Sequence, residues 1–391
     1  MSRVLPFRGL HYDPDRVGDL TAATSPPYDV ISDAQQQHYR ALSPWNVVRL
    51  ETNDKGLDAE ERAARHAEAA RCLKGWTAEG VLRRDPEPRF YPYEMAFTFE
   101  GRQRTIRGLI CAVEIEPWGG SIIPHEHVMA RQVEDRLTLM RSTQANFSPI
   151  YAVFSGPSRP VADLLNRLEA PLSQVTDEEG VTHRLWSVAD PAITDDLAEQ
   201  DLLIADGHHR YTVALAYRDE MRARFGPGPW DEVMMFVVDA ATQDPPVLPI
   251  HRLLRDPVAM DAGPVDGLDA ALQGAQDDPP SVGWIQPGPV YGVVALDGPP
   301  PAVSALHADL LAGLEGGRDL VFTPDAAEAD AAVRSGEAAM AALLPPTTAE
   351  RIREVIDRGQ RMPQKSTFFW PKPRTGMVLR AMETAPAAPA S

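Results

Sequence analysis

The segment Leu202-Leu203-Ile204-Ala205-Asp206-Gly207-His208-His209-Arg210-Tyr211-Thr212-Val213-Ala214-Leu215 decides how this chain is read. It opens as a short apolar run, the pattern of a buried strand. Gly207 lets the backbone turn through positive φ at little cost. From His208 the pattern becomes helical, with Val213, Ala214, Tyr217 and Met221 on one stripe. The breakers Phe225-Gly226-Pro227-Gly228-Pro229 stop it. Two imidazoles and a guanidinium therefore sit where a strand feeds the first turn of a helix. The N–H groups and dipole of that terminus attract anions, and Arg210 adds a fork matched to phosphate oxygens. Asp206 faces the same place from the strand end. An acid beside an anion cradle points to a metal-bound phosphate or to a hydroxyl awaiting deprotonation. The plainer alternative makes Asp206 a helix cap and the two histidines surface residues. The density of functional side chains in one turn favours the first reading.

Composition narrows the classes. The chain has 391 residues, 43% of them hydrophobic, enough for a sizeable core and for two or three domains. Lys plus Arg number 38 against 56 Asp plus Glu, a net charge of -18. Such a chain is a poor ligand for nucleic-acid phosphates and for anionic membrane surfaces. Cys72 and Cys111 make neither a disulfide framework nor a zinc ribbon. The start of the sequence lacks the apolar core of a signal peptide, and no stretch reaches spanning length. The expectation is a soluble cytoplasmic protein acting on neither nucleic acid nor membrane, with a homodimer left open.

Upstream of the central segment, Ser25-Pro26-Pro27-Tyr28-Asp29-Val30-Ile31 reads as a proline-fixed loop entering a strand. Asn46-Val47-Val48-Arg49-Leu50 reads as a strand. Residues 58–79 read as a helix, with Ala69, Cys72, Leu73 and Trp76 at i, i+3, i+4, i+7 spacing. A hairpin follows, with Tyr91, Tyr93, Met95, Phe97 and Phe99 on one face, a turn at Glu100-Gly101, and a return over 105–113.

Residues 124–154 hold a second polar constellation. Pro124-His125-Glu126-His127-Val128 precedes a helix over 131–141 with Val133, Leu137 and Met140 as its buried stripe. Asn146-Phe147-Ser148-Pro149-Ile150 then leads into a strand over 151–154. On a strand His125 and His127 would share a face, as metal ligands do, but no HExxH is present. Asp135 and Arg136 fit either a solvated helix face or a site. Next come a helix over 161–170 and strands over 183–188 and 233–238, with His251-Arg252 after a further short strand.

Residues 256–300, rich in Pro, Gly and Asp, read as loops and small elements. Residues 302–344 read as Ala-rich helices around Leu320-Val321-Phe322. Thr347 and Glu350 make a capping box for a helix carrying Ala349, Ile352, Val355 and Ile356, which Gly359 ends. A third polar run is Met362-Pro363-Gln364-Lys365-Ser366-Thr367-Phe368-Phe369-Trp370-Pro371-Lys372. Lys365, Ser366 and Thr367 suit phosphate, although the Gly-rich Walker loop is absent. Phe368-Phe369-Trp370 reads as a buried strand and 384–391 as a disordered tail.

The Asp206–Tyr211 turn resembles the Gly-Cys-His-Arg-Tyr turn of sulfiredoxin and the Asp-Gly-x-His-Arg turn of archaeal ADP-dependent free-serine kinases, both of the ParB/sulfiredoxin-like fold. The whole chain resembles a bacterial and archaeal family catalogued as domain of unknown function one thousand and fifteen. That likeness rests on residues 26–31, His125-Glu126, Asp135-Arg136-Leu137, Ser148-Pro149-Ile150, Asp206 to Tyr211, His251-Arg252, and 362–371. It implies a mixed α/β (α+β) chain whose ParB/sulfiredoxin-like core binds nucleotide. The expected layout is a catalytic core over 1–255, a smaller α/β region over 256–380 packing back on it, and a tail over 381–391.

The resemblance also assigns roles. His209, Arg210 and Gly207 would hold nucleotide phosphates, with Arg136. Asp206 would sit near the metal or the acceptor hydroxyl, with Mg2+ as metal and ATP or ADP as donor. His208 stands where sulfiredoxin carries its reactive cysteine, which removes that nucleophile. Glu126, and less readily Glu51, would match the kinase's catalytic glutamate; Glu126 or Asp206 would take the hydroxyl proton, and His208 joins the catalytic set. Lys365 would neutralise the transferring phosphoryl group, and His125, Asp29, His251 and Arg252 would meet the acceptor. The expected activity is a small-molecule kinase phosphorylating a hydroxyl, most readily free L-serine. Two competitors remain. One is a metal-dependent hydrolase drawing on His125, His127, His208, His209 or His251. The other is a non-catalytic nucleotide-sensing module.

Overall fold

Alternating and continuous apolar runs account for the larger sheet. The computed structural model describes residues 3–51, 57–126, 130–154, 156, 158–197, 200–314 and 319–382. It divides into two units. Met1–Ile123, Met129–Asp244 and Pro371–Ser391 form one; Pro124–Val128 and Pro245–Trp370 form the other. The expected boundary after residue 255 thus falls at 244, and the chain from Pro371 belongs with the N-terminal unit. Of the tail expected over 381–391, Ala381 pairs with Ala145 in a short ladder, and residues 383–391 lie outside the described residues.

The first unit is built on a nine-stranded mixed sheet. Its order runs Ile122–Ile123, Leu202–Asp206, Ile150–Phe154, Glu232–Asp239, Arg102–Glu114, Tyr91–Phe99, Thr182–Leu185 and Ser173–Thr176, with Val4–Leu5 also on Arg102–Glu114. Leu202–Asp206 is parallel to Ile122–Ile123, and Ile150–Phe154 to Glu232–Asp239; the other pairs are antiparallel. The alternating aromatic run and its return form the expected hairpin, Tyr91–Phe99 against Arg102–Glu114. The central strand is apolar on both faces, as a doubly covered strand must be: Val233 through Val238 are all buried. The helices Ala130–Thr143 and His208–Phe225 pack through Leu137, Val213, Tyr217 and Met221. Ala59–Ala78 buries Ala69, Leu73 and Trp76.

The second unit carries a seven-stranded antiparallel sheet ordered Gly263–Val265, Val290–Ala295, Pro280–Gln286, Met340–Leu343, His251–Leu254 and Leu320–Thr323, with Gln276–Asp277 paired to Pro280–Gln286. The Pro, Gly and Asp content of 256–300 predicts loops where several of these strands lie. Pro and Gly there mask an apolar core of Val282, Trp284 and Ile285. Gly283 explains itself: a Cβ would lie 2.4 Å from the Ala271 carbonyl oxygen of the helix Gly267–Gly274. Val247–Leu248 pairs with Phe368–Phe369, the strand expected at the third polar run.

Other local readings are corrected. Asn46–Leu50 is not a strand: the Asn46 side chain accepts from the Val48 N–H (2.9 Å) and winds Val47–Arg49 into a 3-10 turn. The proline loop enters a helix instead of a strand, because Ser32 and Gln35 form a capping box for Asp33–Leu42. The cap of Ala349–Asp357 is Thr348, not Thr347, whose hydroxyl goes to Asp277. The helix expected over 161–170 is Arg159–Leu165, and the strand over 183–188 is Thr182–Leu185. Among the described residues no helix is long and apolar enough to cross a membrane.

Candidate functional site

The strand-to-helix corner forms as its sequence dictates. Leu202–Asp206 is a strand, Gly207 turns at φ +100°, and His208–Phe225 is a helix. Gly207 is needed twice over. L residues rarely reach that φ, and a Cβ would stand 3.1 Å from both Cζ and Nε of Arg210. Gly207 offers no capping side chain to the helix start. His208 is buried and His209 half-buried. Tyr211 is buried, its hydroxyl donating to the Glu116 carbonyl at 2.7 Å.

Arg210 does not stand outward as an open phosphate fork. One terminal nitrogen donates to the Pro149 carbonyl and the other to Asp206. The second oxygen of Asp206 accepts from the Lys372 ammonium. Asp206 is thus bracketed by two cations, with both oxygens engaged. Among the described residues, no group of three or more His, Cys, Asp or Glu could hold a metal ion.

Around that corner the first unit gathers charges from distant parts of the chain. The Arg136 guanidinium lies 4.4 Å from the Tyr28 ring centre and donates to Asp135 at 2.6 and 3.0 Å. Burial raises the Glu51 pKa; Arg210, Ser148 and Arg136 pull it down, and Asp29 pushes it further up. Burial pulls the Arg210 pKa down, but Asp206, Asp29, Tyr28 and Glu51 together raise it. Tyr28 is pushed up, first by burial, with Arg136 opposing and Asp29 adding. Buried carboxylates are tolerated here because buried guanidinium groups sit among them. Four polar atoms in this neighbourhood are buried without a hydrogen bond of full geometry, Glu51 Oε2, Asp29 Oδ1, Ser148 Oγ and Arg210 Nε, although Ser148 stands near enough to Glu51 to pull its pKa down. Such atoms are rare in native proteins and call for an explanation, a bound ligand or water being one.

Of the residues singled out from sequence, Asp206, Gly207, Arg210, Arg136, Asp29, His208 and His209 fall in this unit. His125, Glu126, His251, Arg252 and Lys365 belong to the other, where they form a structural clamp. One Glu126 oxygen accepts backbone N–H groups from Ser366 and Thr367, both at 2.9 Å; the other accepts that of Lys365 at 3.0 Å. The Thr367 hydroxyl also donates to Glu126 (3.1 Å) and so accepts from His125 Nε2 (2.8 Å). A carboxylate so occupied is poorly placed to take a substrate proton.

From the same unit Arg252 grips the loop's carbonyls. It donates to Lys365 O at 2.9 Å and Ile250 O at 2.6 Å, and its Nε to His307 Nε2 at 3.1 Å. Burial lowers its pKa to about 9, with Glu126 opposing. His251 Nδ1 accepts from the Leu344 N–H at 3.1 Å. Burial, then the Arg252 charge, lower the His251 pKa to about 4. Lys365 itself takes φ +56°, uncommon for a residue with a side chain. His127 lies outside the described residues.

Sequence reasoning gave no role to Lys372, Tyr28 or Ser148 and ranked Glu51 second. Three of these stand inside stretches already quoted as polar motifs; what was missing was their convergence. Glu51 follows a segment misread as a strand, which hid its direction.

No curated protein matches the chain. Among solved structures, a free serine kinase in complex with AMP shares 12% identity over 63% of this chain and 83% of that one, with a TM-score of 0.37. A conserved hypothetical protein from Pyrococcus furiosus shares 14% over 64% and 90%, with a TM-score of 0.35. C-terminally truncated SbnI from Staphylococcus aureus shares 11% over 68% and 84%, with a TM-score of 0.32. The family model described as protein of unknown function (DUF1015) matches residues 4–268. With more than half its length so matched, this chain belongs to the DUF1015 family.

Proposed function

We propose that this chain is a small-molecule kinase that moves a phosphoryl group from a nucleotide to a hydroxyl. Free L-serine is the leading acceptor, as the resemblance of the Asp206–Tyr211 turn implies. The observation that carries the reading is the buried cluster at that turn. Cations from Arg210 and Lys372 meet there on one carboxylate, beside Glu51 and Asp29, each with a buried oxygen that lacks a hydrogen bond of full geometry.

The chemistry follows from those groups. The acceptor hydroxyl gives its proton to Glu51 as its oxygen bonds the terminal phosphorus and the bond to the leaving nucleotide breaks. Burial raises the Glu51 pKa, which brings a carboxylate closer to the proton affinity a general base needs. Arg210 and Lys372 offset the charge on the moving phosphoryl oxygens, and positioning supplies most of the remainder. Asp206 serves to hold those two cations. Mg2+, if used, would be held mainly by nucleotide phosphates, with a carboxylate or two from the protein, as is usual for that ion. It would supply charge neutralisation.

The test incubates the purified chain with L-serine, Mg2+ and either ATP or ADP and looks for phosphoserine. None with either nucleotide, and no product from other small alcohols, discards the proposal. Nucleotide binding without turnover would instead favour the sensing module. A stoichiometric transition metal in protein purified without a His tag would instead favour the hydrolase.

A further inference from the structure

A buried chain of hydrogen bonds in the first unit ends on the segment that carries Lys372. The Arg374 backbone N–H donates to the Tyr93 hydroxyl at 2.9 Å. Tyr93 Oη lies 2.7 Å from His183 Nδ1. His183 Nε2 lies 3.0 Å from Asp177 Oδ2. Asp177 Oδ1 in turn accepts N–H groups from Val181 at 2.8 Å and Glu179 at 3.0 Å. Tyr93 and His183 are each 1% exposed and Arg374 3%.

Donor accounting leaves one arrangement. Asp177 Oδ1 already accepts two backbone N–H groups, which favours its ionised form. Asp177 is therefore an acceptor only, and the His183 proton sits on Nε2. Nδ1 is then bare and takes the Tyr93 O–H. That frees the Tyr93 oxygen to accept from Arg374. The chain requires neutral His183. Burial lowers its pKa, Asp177 and Glu179 oppose, and Arg374 adds to the lowering. Every partner is matched only while this polarity holds.

The far end is fastened as tightly. The Arg374 Nε donates to Thr24 Oγ1 at 2.8 Å, and its terminal nitrogens reach Thr24 O at 3.2 Å and Glu178 at 3.4 Å. Tyr39 also donates to Glu178, at 3.1 Å. Thr375 exchanges backbone bonds with Ser25, at 2.9 and 3.2 Å. Two residues before Arg374, the Lys372 side chain is 8% exposed and is paired to Asp206.

We infer that Lys372 is a ligand-contacting cation of the Asp206–Arg210 corner, and that Tyr93, His183 and Asp177 are positioning residues that hold segment 371–375 so as to deliver it. The ligand is the phosphoryl group of the proposed reaction, and this half of the inference rests on that reading. The positioning half stands on the hydrogen bonds alone. Protonating His183 would turn its Nδ1 from acceptor to donor, face it against the Tyr93 O–H and slacken the clamp. The charged and titratable groups around it are Tyr93, Asp177, Glu179 and Arg374.

Hydrogen exchange and steady-state kinetics test the two halves separately. Tyr93→Phe and His183→Phe should each speed amide exchange in 371–377 and lower kcat, roughly tenfold in both cases, the size expected when a buried donor loses its acceptor. His183→Gln can accept from Tyr93 and donate to Asp177 without titrating. It should restore slow exchange and kcat, and should remove the part of the expected acid-side fall in rate that comes from His183 while leaving the part that comes from Glu51. Lys372→Met should lower kcat/KM at least tenfold, and Lys372→Arg should recover part of it.

Exchange at the wild-type rate in both Phe variants overturns the clamp. Fast exchange with unchanged kcat, or His183→Gln behaving like His183→Phe, overturns the positioning role. If Tyr93→Phe does not fold, the two His183 variants make the same comparison. A wild-type chain that transfers nothing refutes the kinase reading and leaves exchange to decide the clamp.

Discussion

Replacing Glu126 separates a structural carboxylate from a catalytic one. Its oxygens accept the backbone N–H groups of Lys365, Ser366 and Thr367 at 2.9–3.0 Å. Each hydrogen bond to a charged acceptor contributes about 1.5–3 kcal/mol net. Three would sum to roughly 4.5–9 kcal/mol if the donors stayed dry. The Glu126 side chain is 12% exposed, so water can reach part of the vacated space. Against that relief, Arg252 is fully buried, and the Glu126 charge opposes the lowering of its pKa. Glu126→Ala is therefore expected to destabilise the second unit by about 4 kcal/mol. Glu126→Gln keeps a carbonyl for Ser366 and Thr367 but turns an amide donor toward the Lys365 N–H, for a loss of about 2 kcal/mol. Urea unfolding followed by tryptophan emission measures both, since Trp284 is fully buried in that unit. Phosphoryl transfer by folded Glu126→Gln should stay near wild type. If Glu126→Gln unfolds at the wild-type midpoint yet loses a hundredfold or more in rate, the proton acceptor is Glu126 and the reasoning given for Glu51 is wrong.

Three more outcomes are expected. Glu51→Gln should lower phosphoryl transfer by about 10²–10⁴ while the chain stays folded. In wild type, the rate should rise with pH through a Glu51 titration displaced above the ordinary glutamate range by burial; a pH-rate profile compares the two. Gly207→Ala should cost about 1–3 kcal/mol in thermal or urea unfolding, because φ +100° is strained for alanine and its Cβ would press on Arg210; an unchanged midpoint would contradict this. The pH dependence of the second unit should follow His251, whose pKa falls from 6.5 to about 4. The unfolded chain binds that proton first as pH drops, so stability is full above about 6.5 and is lost on acidification toward 4. The shift corresponds to about 3 kcal/mol. His251→Asn, which still accepts from the Leu344 N–H, should flatten that slope in urea midpoints measured between pH 4 and 7.

The corner at Gly207 was legible because one residue pattern, apolar run to glycine to helical stripe, leaves few alternatives. Strand, turn and helix fell where that pattern put them. The aromatic hairpin was equally plain from strict alternation. The second sheet was not, because Pro and Gly interrupt strands whose pairing is purely non-local; Trp284 and Ile285 show their burial only once Ala341 and Ala342 lie opposite. The site shows the same divide. Asp206 and Arg210 are four residues apart at one turn, so their nearness is local and the sequence shows it. Lys372 on Asp206 spans 166 positions, and no spacing rule anticipates it. The partners of Glu126 are hidden from the sequence for a related reason. A lone carboxylate beside histidine reads as chemistry until three amides from a remote loop are seen to occupy it.

The path of the chain through the two units has a consequence for biosynthesis. Leu10 bonds to Leu379, Ser25 to Thr375, and Ala145–Asn146 to Arg380–Ala381. Elements that leave the ribosome early therefore wait for partners translated after the whole of 245–370. Until then the nascent first unit lacks both Lys372 and the strand that seals its flank, and it offers open backbone to whatever lies nearby. The Asp206–Lys372 pairing can form only after residues 245–370 have been translated.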